Sequence, residues 1–208
     1  MPRDCWVPAA TDPAMRITGG IATGRRLHVP AGHAVRPTPD LVKQAVFNRL
    51  GPAVIGASVL ELFAGSGALG LECLSRGAAH VVALELIPRH AAVIRRNLSD
   101  TGLPEAQYEL RLQDVFKALA SLRQSGRTFR LILADPPFGE KNVGRRSESM
   151  SQALLDDTDL PALLDPDGLF VLGHSKRDTL TLPRDWQDTK TLRHGDSLIR
   201  FLRHTHAV

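Results

Sequence analysis

The sequence predicts an α/β fold of the Rossmann-like kind: a mostly parallel sheet covered by helices and closed by a C-terminal antiparallel hairpin. Three observations carry this. From Ser58 onward, short apolar runs alternate with helical patterns, as in strands laid parallel and covered on both faces. The first run ends in a glycine-rich turn, Gly65-Ser66-Gly67-Ala68-Leu69-Gly70, and Glu85 closes the second run. That pair is the fingerprint of a nucleotide-binding βαβ unit. The tail segments Thr189–Arg193 and Ser197–Leu202 flank His194-Gly195-Asp196, which reads as an antiparallel hairpin.

Taken in order, residues 1–14 are rich in Pro, Ala and Asp and are expected to be a disordered extension. Met15 is a candidate initiator, and the residues before it are expected to be dispensable. Arg16 to Val29 alternates loosely around Gly19-Gly20 and Gly24, which suggests a short hairpin. Arg36-Pro37-Thr38-Pro39-Asp40 is a turn that opens a helix, with Thr38 or Asp40 as its cap. Val42, Val46, Phe47 and Leu50 follow at helical spacing. Strands are predicted over Val59–Phe63, Val81–Glu85, Tyr108–Gln113, Leu131–Ala134 and Leu169–Leu172. Helices are predicted from Ala68, Pro88, Val115 and Met150. The chain thus divides into an extension (1–15), a basic hairpin and helix (16–50), and a ligand-binding domain (51–208).

At 208 residues the chain is long enough to bury one full core. Its two cysteines, Cys5 and Cys73, cannot build a disulfide framework, so a cytoplasmic setting is expected. Cys73 lies in the apolar stripe of Leu69, Leu71 and Leu74 and reads as core. The histidines show no metal-ligand spacing, and no apolar stretch is long enough to span a membrane. The net charge of +4 sits in the first 50 residues. There Arg3, Arg16, Arg25, Arg26, Arg36, Lys43 and Arg49 outnumber Asp4, Asp12 and Asp40; the remaining Lys/Arg and Asp/Glu balance. A solvated arm and a footprint for nucleic-acid phosphates both fit this.

Chemistry is expected at the strand ends. The glycine turn lets a ligand approach the backbone, and Glu85 can accept bonds from two ribose hydroxyls. Neither distinguishes NAD from S-adenosylmethionine. Asp114, after the third strand, can accept from an adenine amino group with Val115 against the ring, and it can equally cap the next helix. The fourth strand runs Leu131-Ile132-Leu133-Ala134 into Asp135-Pro136-Pro137-Phe138. A hydride-transfer site has no use for that sequence. A site that methylates an amine on a planar base does. A carboxylate and a backbone carbonyl accepting from the NH₂ free its delocalised lone pair. Prolines hold both acceptors fixed, and Phe138 offers a face on which an extruded base can stack.

The stretches LELFAGSGALGLECLSRGA, ADPPF, RPTPDLVKQAVFN and RITGGIATGRRLHVP resemble the RsmD family of bacterial 16S rRNA guanine-N2 methyltransferases, from about Arg16 to Arg203. The resemblance implies a seven-stranded class I methyltransferase fold and S-adenosylmethionine as cofactor. It implies 16S rRNA as partner, in a partly assembled 30S subunit, and a monomeric enzyme. Glu61, with Phe63, Ala64, Gly65, Ser66 and Gly67, matches the methionine-side motif. Glu85 matches the ribose acid, Asp114 and Val115 the adenine contact, and Asp135, Pro136, Pro137 and Phe138 the catalytic loop. Thr38 joins the cofactor set. Arg16, Arg25, Arg26, Arg36, Arg145 and Arg146 are the expected RNA contacts. Departures are His174, where many relatives carry an acid, and His194-Gly195, where Tyr-Gly is common. Adenine-N6 methylation of DNA and a nucleotide-binding oxidoreductase remain as alternatives.

Overall fold

A computed structural model describes residues 15–30, 40–137, 141–142 and 145–205. The expectations for residues 1–14, and for Arg36, Thr38 and Phe138, lie outside the described residues. Seven strands form one sheet: β1 (Ser58–Leu62), β2 (His80–Glu85), β3 (Tyr108–Leu112), β4 (Phe129–Ala134), β5 (Leu164–Ser175), β6 (Trp186–His194) and β7 (Ser197–His204). Their spatial order is β3-β2-β1-β4-β5-β7-β6. The first five run parallel, and β7 pairs antiparallel with both β5 and β6. The helices α1 (Asp40–Leu50), α2 (Ala68–Ser75), α3 (Pro88–Thr101), α4 (Val115–Gln124) and α5 (Met150–Asp156) alternate with the strands. The four predicted helix starts at Ala68, Pro88, Val115 and Met150 are met. The fifth and sixth strands run longer than their apolar cores predicted, because sheet pairing extends past the apolar run.

Strand side chains alternate between two faces, and two apolar clusters result. Val59, Val81, Leu131 and Val171 pack with α2 and α1 on one face, and Cys73 is buried there as read. Leu60, Val82, Ile132 and Phe170 pack with α4 and α5 on the other. Chain order reverses direction across the β1–β4 boundary, and there parallel sheets open a ligand crevice at their carboxyl ends.

The segment before α1 is not a free arm. The expected short hairpin is present as one antiparallel bridge, Arg16 with Arg26, flanked by bonds from Leu27 N–H to the Met15 carbonyl at 2.7 Å and from Ile17 N–H to the Arg25 carbonyl at 2.9 Å, and Met15, Ile17, Ala22 and Leu27 are buried in the first cluster. Its polar anchor is Glu72 on α2, fully buried. Glu72 accepts from the Thr18 N–H and the Thr18 hydroxyl, each at 2.8 Å, and from Arg76 Nε at 2.7 Å. Lys43 Nζ, equally buried, lies 3.8 Å from Glu72 and donates to the Arg16 carbonyl. Burial holds the Lys43 ammonium below its usual range, with Glu72 and Asp40 opposing that shift.

Gly19 and Gly20 serve this docking. A side chain at Gly19 would collide with the Arg76 guanidinium, and one at Gly20 with the Ser75 carbonyl. The arm closes over the end of α2 as Ile21 N–H donates to that carbonyl at 2.8 Å. These glycines therefore fit the arm to its own domain. Of the basic residues in this part of the chain, Lys43 is internal and Arg16 pairs with Asp40 at 2.9 Å. Arg25 and Arg26 are both exposed, so neither is packed into the domain.

Glu72→Ala should cost about 3–5 kcal/mol, because it strands a buried ammonium and two orphaned Thr18 donors. Denaturant titration measures this. A loss below about 1 kcal/mol would show that the cluster contributes little to stability.

Candidate active site

The site begins with backbone geometry. Leu62 of β1 is level with Leu84 of β2 and Ala134 of β4. Phe63 and Asp135, one step beyond β1 and β4, and Glu85, the last residue of β2, are therefore neighbours at the ends of three adjacent strands, which lie ~4.8 Å apart. Between Phe63 and Gly67 the chain turns through three left-handed residues: Phe63 (φ 56°), Gly65 (φ 58°) and Gly67 (φ 74°). Phe63 is the one non-glycine with positive φ among the described residues. That conformation costs a side chain roughly 1–2 kcal/mol, a strain that gathers at functional loops. Phe63 is held by an edge-on contact with Phe116, centroids 6.5 Å apart.

Three side chains pin this loop. Glu85, buried at the end of β2, accepts from Gly65 N–H at 2.7 Å and from Ile87 N–H at 2.8 Å. Asn97 of α3, fully buried, donates to the Ser66 carbonyl at 2.9 Å. Its amide also holds the arm, accepting from His28 N–H at 2.7 Å and donating to the His28 carbonyl at 2.9 Å. Glu61 lies beneath the start of α2, accepting from Leu69 N–H and from the Tyr108 hydroxyl, both at 3.2 Å. Gly70 makes room for it: a Cβ there would stand 2.5 Å from Glu61 Oε2. The structure thus places Glu61 under the loop, where its role is to position the turn.

These residues fit a nucleoside-bearing cofactor. A Cβ at Gly67 would stand 3.0 Å from the Tyr108 oxygen and 3.1 Å from Ile94, so only glycine keeps the turn tight. Within the turn the N–H groups of Ala64, Gly65 and Gly67 are bonded internally, to the Leu84 carbonyl, Glu85 and the Ala64 carbonyl, so the glycines serve close approach of a ligand to the backbone. Glu85 retains acceptor capacity, since each carboxylate oxygen offers two lone pairs. Asp114 caps α4 through Lys117 N–H at 3.1 Å, so the capping reading holds, and its other oxygen is left for a ligand donor. Val115 is buried beside it. Leu86, which sequence reasoning passed over, is 59% exposed directly after Glu85. An apolar side chain left exposed at the carboxyl end of β2 is available to a planar ring. Its signal was an apolar residue straight after a strand-end acid.

On the other side of β1, Asp135 leaves β4 with Pro136 buried and Pro137 exposed. Its carboxylate lies against the backbone of β5, where a Cβ at Gly173 would stand 2.5 Å from Asp135 Oδ1. Gly173 is thus a site residue that sequence reasoning missed; only its place level with the Asp-Pro-Pro turn could have flagged it. His174, the departure from the resembling family, is buried on the opposite face and faces the terminal hairpin. Its Nδ1 pairs with the Ser175 carbonyl at 3.0 Å and its Nε2 with Arg200 Nε at 3.2 Å. Burial, with Arg200 next, holds the imidazole below its usual range. Arg200 continues to Asp188 at 3.0 Å. His174 therefore ties β5 to the hairpin. Arg145 is exposed, whereas Arg146 pairs with Asp156 at 2.6 Å.

Gly173→Ala should displace the Asp135 carboxylate and lower turnover about 10²–10³-fold, the scale of losing one preorganised group. Cofactor affinity, read by calorimetry, should hold; near-normal turnover would show that Asp135 has room to spare. Glu61 gives a pH test. Burial pushes its carboxyl up to about 7, against the opposing bonds from Gly70, Tyr108 and Leu69. In the unfolded chain it ionises near 4.5. Its stabilising contribution is therefore complete below about pH 4.5 and is lost as pH rises through about 7. Glu61→Gln cannot ionise, so relative to wild type it should gain roughly 1–3 kcal/mol between those limits. Melting curves whose difference does not change with pH would refute this.

Residues 15–203 match the family described as Conserved hypothetical protein 95. Ribosomal RNA small subunit methyltransferase D of Escherichia coli K12 is 34% identical over 172 residues, covering 83% of this chain and 81% of that protein. Its Haemophilus influenzae counterpart is also 34% identical, over 83% of this chain and 84% of that one. A solved structure from Thermus thermophilus superposes with a TM-score of 0.74 at 29% identity, covering 90% of this chain and 98% of that one. A methyltransferase structure complexed with S-adenosylhomocysteine shares the fold at 17% identity, with a TM-score of 0.63 over 79% of this chain and 50% of that one. The sheet is thus the mostly parallel, seven-stranded Rossmann-like sheet of class I methyltransferases, and the chain belongs to the RsmD family.

Proposed function

We propose that this protein is an S-adenosylmethionine-dependent methyltransferase that modifies the exocyclic N2 amine of a guanine in 16S rRNA. The observation that carries the reading is the placement of Asp135-Pro136-Pro137 one strand away from the glycine loop, with the carboxylate seated over Gly173. The named relatives, ribosomal RNA small subunit methyltransferases, supply the RNA class. Guanine is favoured because its edge offers two adjacent donors, N1–H and N2–H, to an acceptor-only carboxylate.

The cofactor, when bound, supplies a methyl group on a sulfonium, already a strong leaving group. Glu85 and Asp114 would hold its ribose and adenine, and the Phe63–Gly67 turn its methionine end. Asp135 and the Pro136 carbonyl accept bonds from the target amine. They align its lone pair for in-line attack and take up the positive charge that develops on nitrogen. Once methylated, the target nitrogen would pass its surplus proton to the Asp135 carboxylate or to water. No covalent enzyme intermediate is needed, and Cys73 is fully buried in the core. To Phe138, which lies outside the described residues, we assign from the sequence alone the role of stacking on the extruded base. The setting we assign is the cytoplasm, where a monomer meets a partly assembled 30S subunit; no described helix is long and apolar enough to cross a membrane.

Incubation with 16S rRNA and with 30S particles, followed by mass mapping of the product nucleoside, tests this. N2-methylguanosine is expected; N6-methyladenosine, or no methyl transfer to either substrate, would overturn the reading. Asp135→Ala should lower turnover about 10²–10³-fold with cofactor affinity nearly intact. Lost cofactor affinity would instead place Asp135 in the cofactor site.

A further inference from the structure

The chain after Asp135-Pro136-Pro137 and the chain after β5 leave the sheet at the same end, because β4 and β5 are parallel. Between them lies a cavity of about 790 Å³ lined by Lys141, Asn142, Arg145, Arg146, Lys176, Arg177, Thr179 and Thr181. Five of these eight residues are cationic and none is apolar. Arg146 is neutralised by Asp156 at 2.6 Å and Lys176 by Asp196 at 2.7 Å. Lys141, Arg145 and Arg177 are exposed and make no ion pair among the described residues. Three positive charges therefore face the cavity uncompensated by those neighbours.

The walls are built. Asn142, buried, donates to the Thr179 carbonyl at 3.0 Å and accepts from Thr179 N–H at 2.8 Å. Gln152 of α5, also buried, does the same for Thr181, at 2.9 and 2.7 Å. Each amide occupies both backbone groups of one residue, as a neighbouring strand would. The segment carrying Lys176 and Arg177 is thus fixed to the segment carrying Lys141 and Arg145 before any ligand arrives.

We infer that this cavity binds the phosphodiester backbone of single-stranded RNA, holding the phosphates that flank the target nucleotide. The inference rests on the proposed RNA substrate for the class of its ligand. Cationic side chains with no aliphatic or aromatic residue among them suit a charged backbone and offer a base no ring to stack on. A base can reach Asp135 only when drawn out of its stack, and its flanking phosphates must then be anchored nearby. The cavity starts six residues after Asp135, on the side away from the cofactor loop. This shifts the expected RNA contacts: Arg145 keeps its place, Arg146 serves the wall, and Lys141 and Arg177 join.

The test uses the full chain and a fluorescent oligouridylate, which contains no guanine. R145A/R177A should bind it roughly tenfold more weakly at low salt, and its log–log salt slope should fall by about 1.4, since each single-strand phosphate contact contributes ~0.7. R145K/R177K should keep the wild-type slope. S-adenosylmethionine affinity and melting temperature should match wild type in both, which certifies the fold. Wild-type affinity and slope in R145A/R177A would overturn the inference. Failure of the wild type to methylate 16S rRNA would overturn the proposed reaction instead, leaving the oligouridylate result to decide the cavity by itself.

Discussion

The structure turns on one awkward stretch of backbone. Five residues after β1 contain three left-handed conformations, one of them forced on a phenylalanine. Such a turn does not hold its shape alone. It is fixed by side chains from three elements: Glu85 from β2, Asn97 from α3 and Glu61 from β1. Each uses a buried polar group to satisfy backbone that the tight turn removes from water, where an unpaired donor or acceptor would cost ~1–3 kcal/mol. The crevice is thus organised before ligand arrives, and the order is maintained from inside the core.

Charge is divided by position. Glu72, Lys43 and Arg76 are charges turned inward, holding the N-terminal segment to α2. Arg25 and Arg26 remain on the surface, and the cations beyond β4 and β5 surround an open cavity. A net charge summed over the sequence mixes these populations. Only the outward ones can meet a polyanion.

Much of this was legible in the sequence. Element starts at Ala68, Pro88, Val115 and Met150 could be read because turn chemistry and apolar periodicity change together at those points. The crevice was legible through its glycines and strand-end acids. Less legible was anything that depends on packing between distant segments. Gly19 and Gly20 read only as part of a hairpin, yet they are close-packing residues, because the sequence does not show Arg76 and Ser75 lying against them. Lys43 read as part of a basic surface, yet it is buried, because its partner Glu72 lies far along the chain. Gly173 carried no local signal: it matters only because parallel pairing brings it level with Asp135.

Asn97 has a consequence for how this architecture can be altered. One amide joins the N-terminal segment, through His28, to the ligand turn, through Ser66. The two were expected to be separate modules, one for substrate and one for cofactor. Sharing a single buried group makes them one cooperative unit. The N-terminal segment is therefore not a cassette that can be exchanged between relatives at a boundary near residue 50. A chimaera must carry its matching partners on α2 and α3 as well, and recombination that separates them breaks the turn along with the arm.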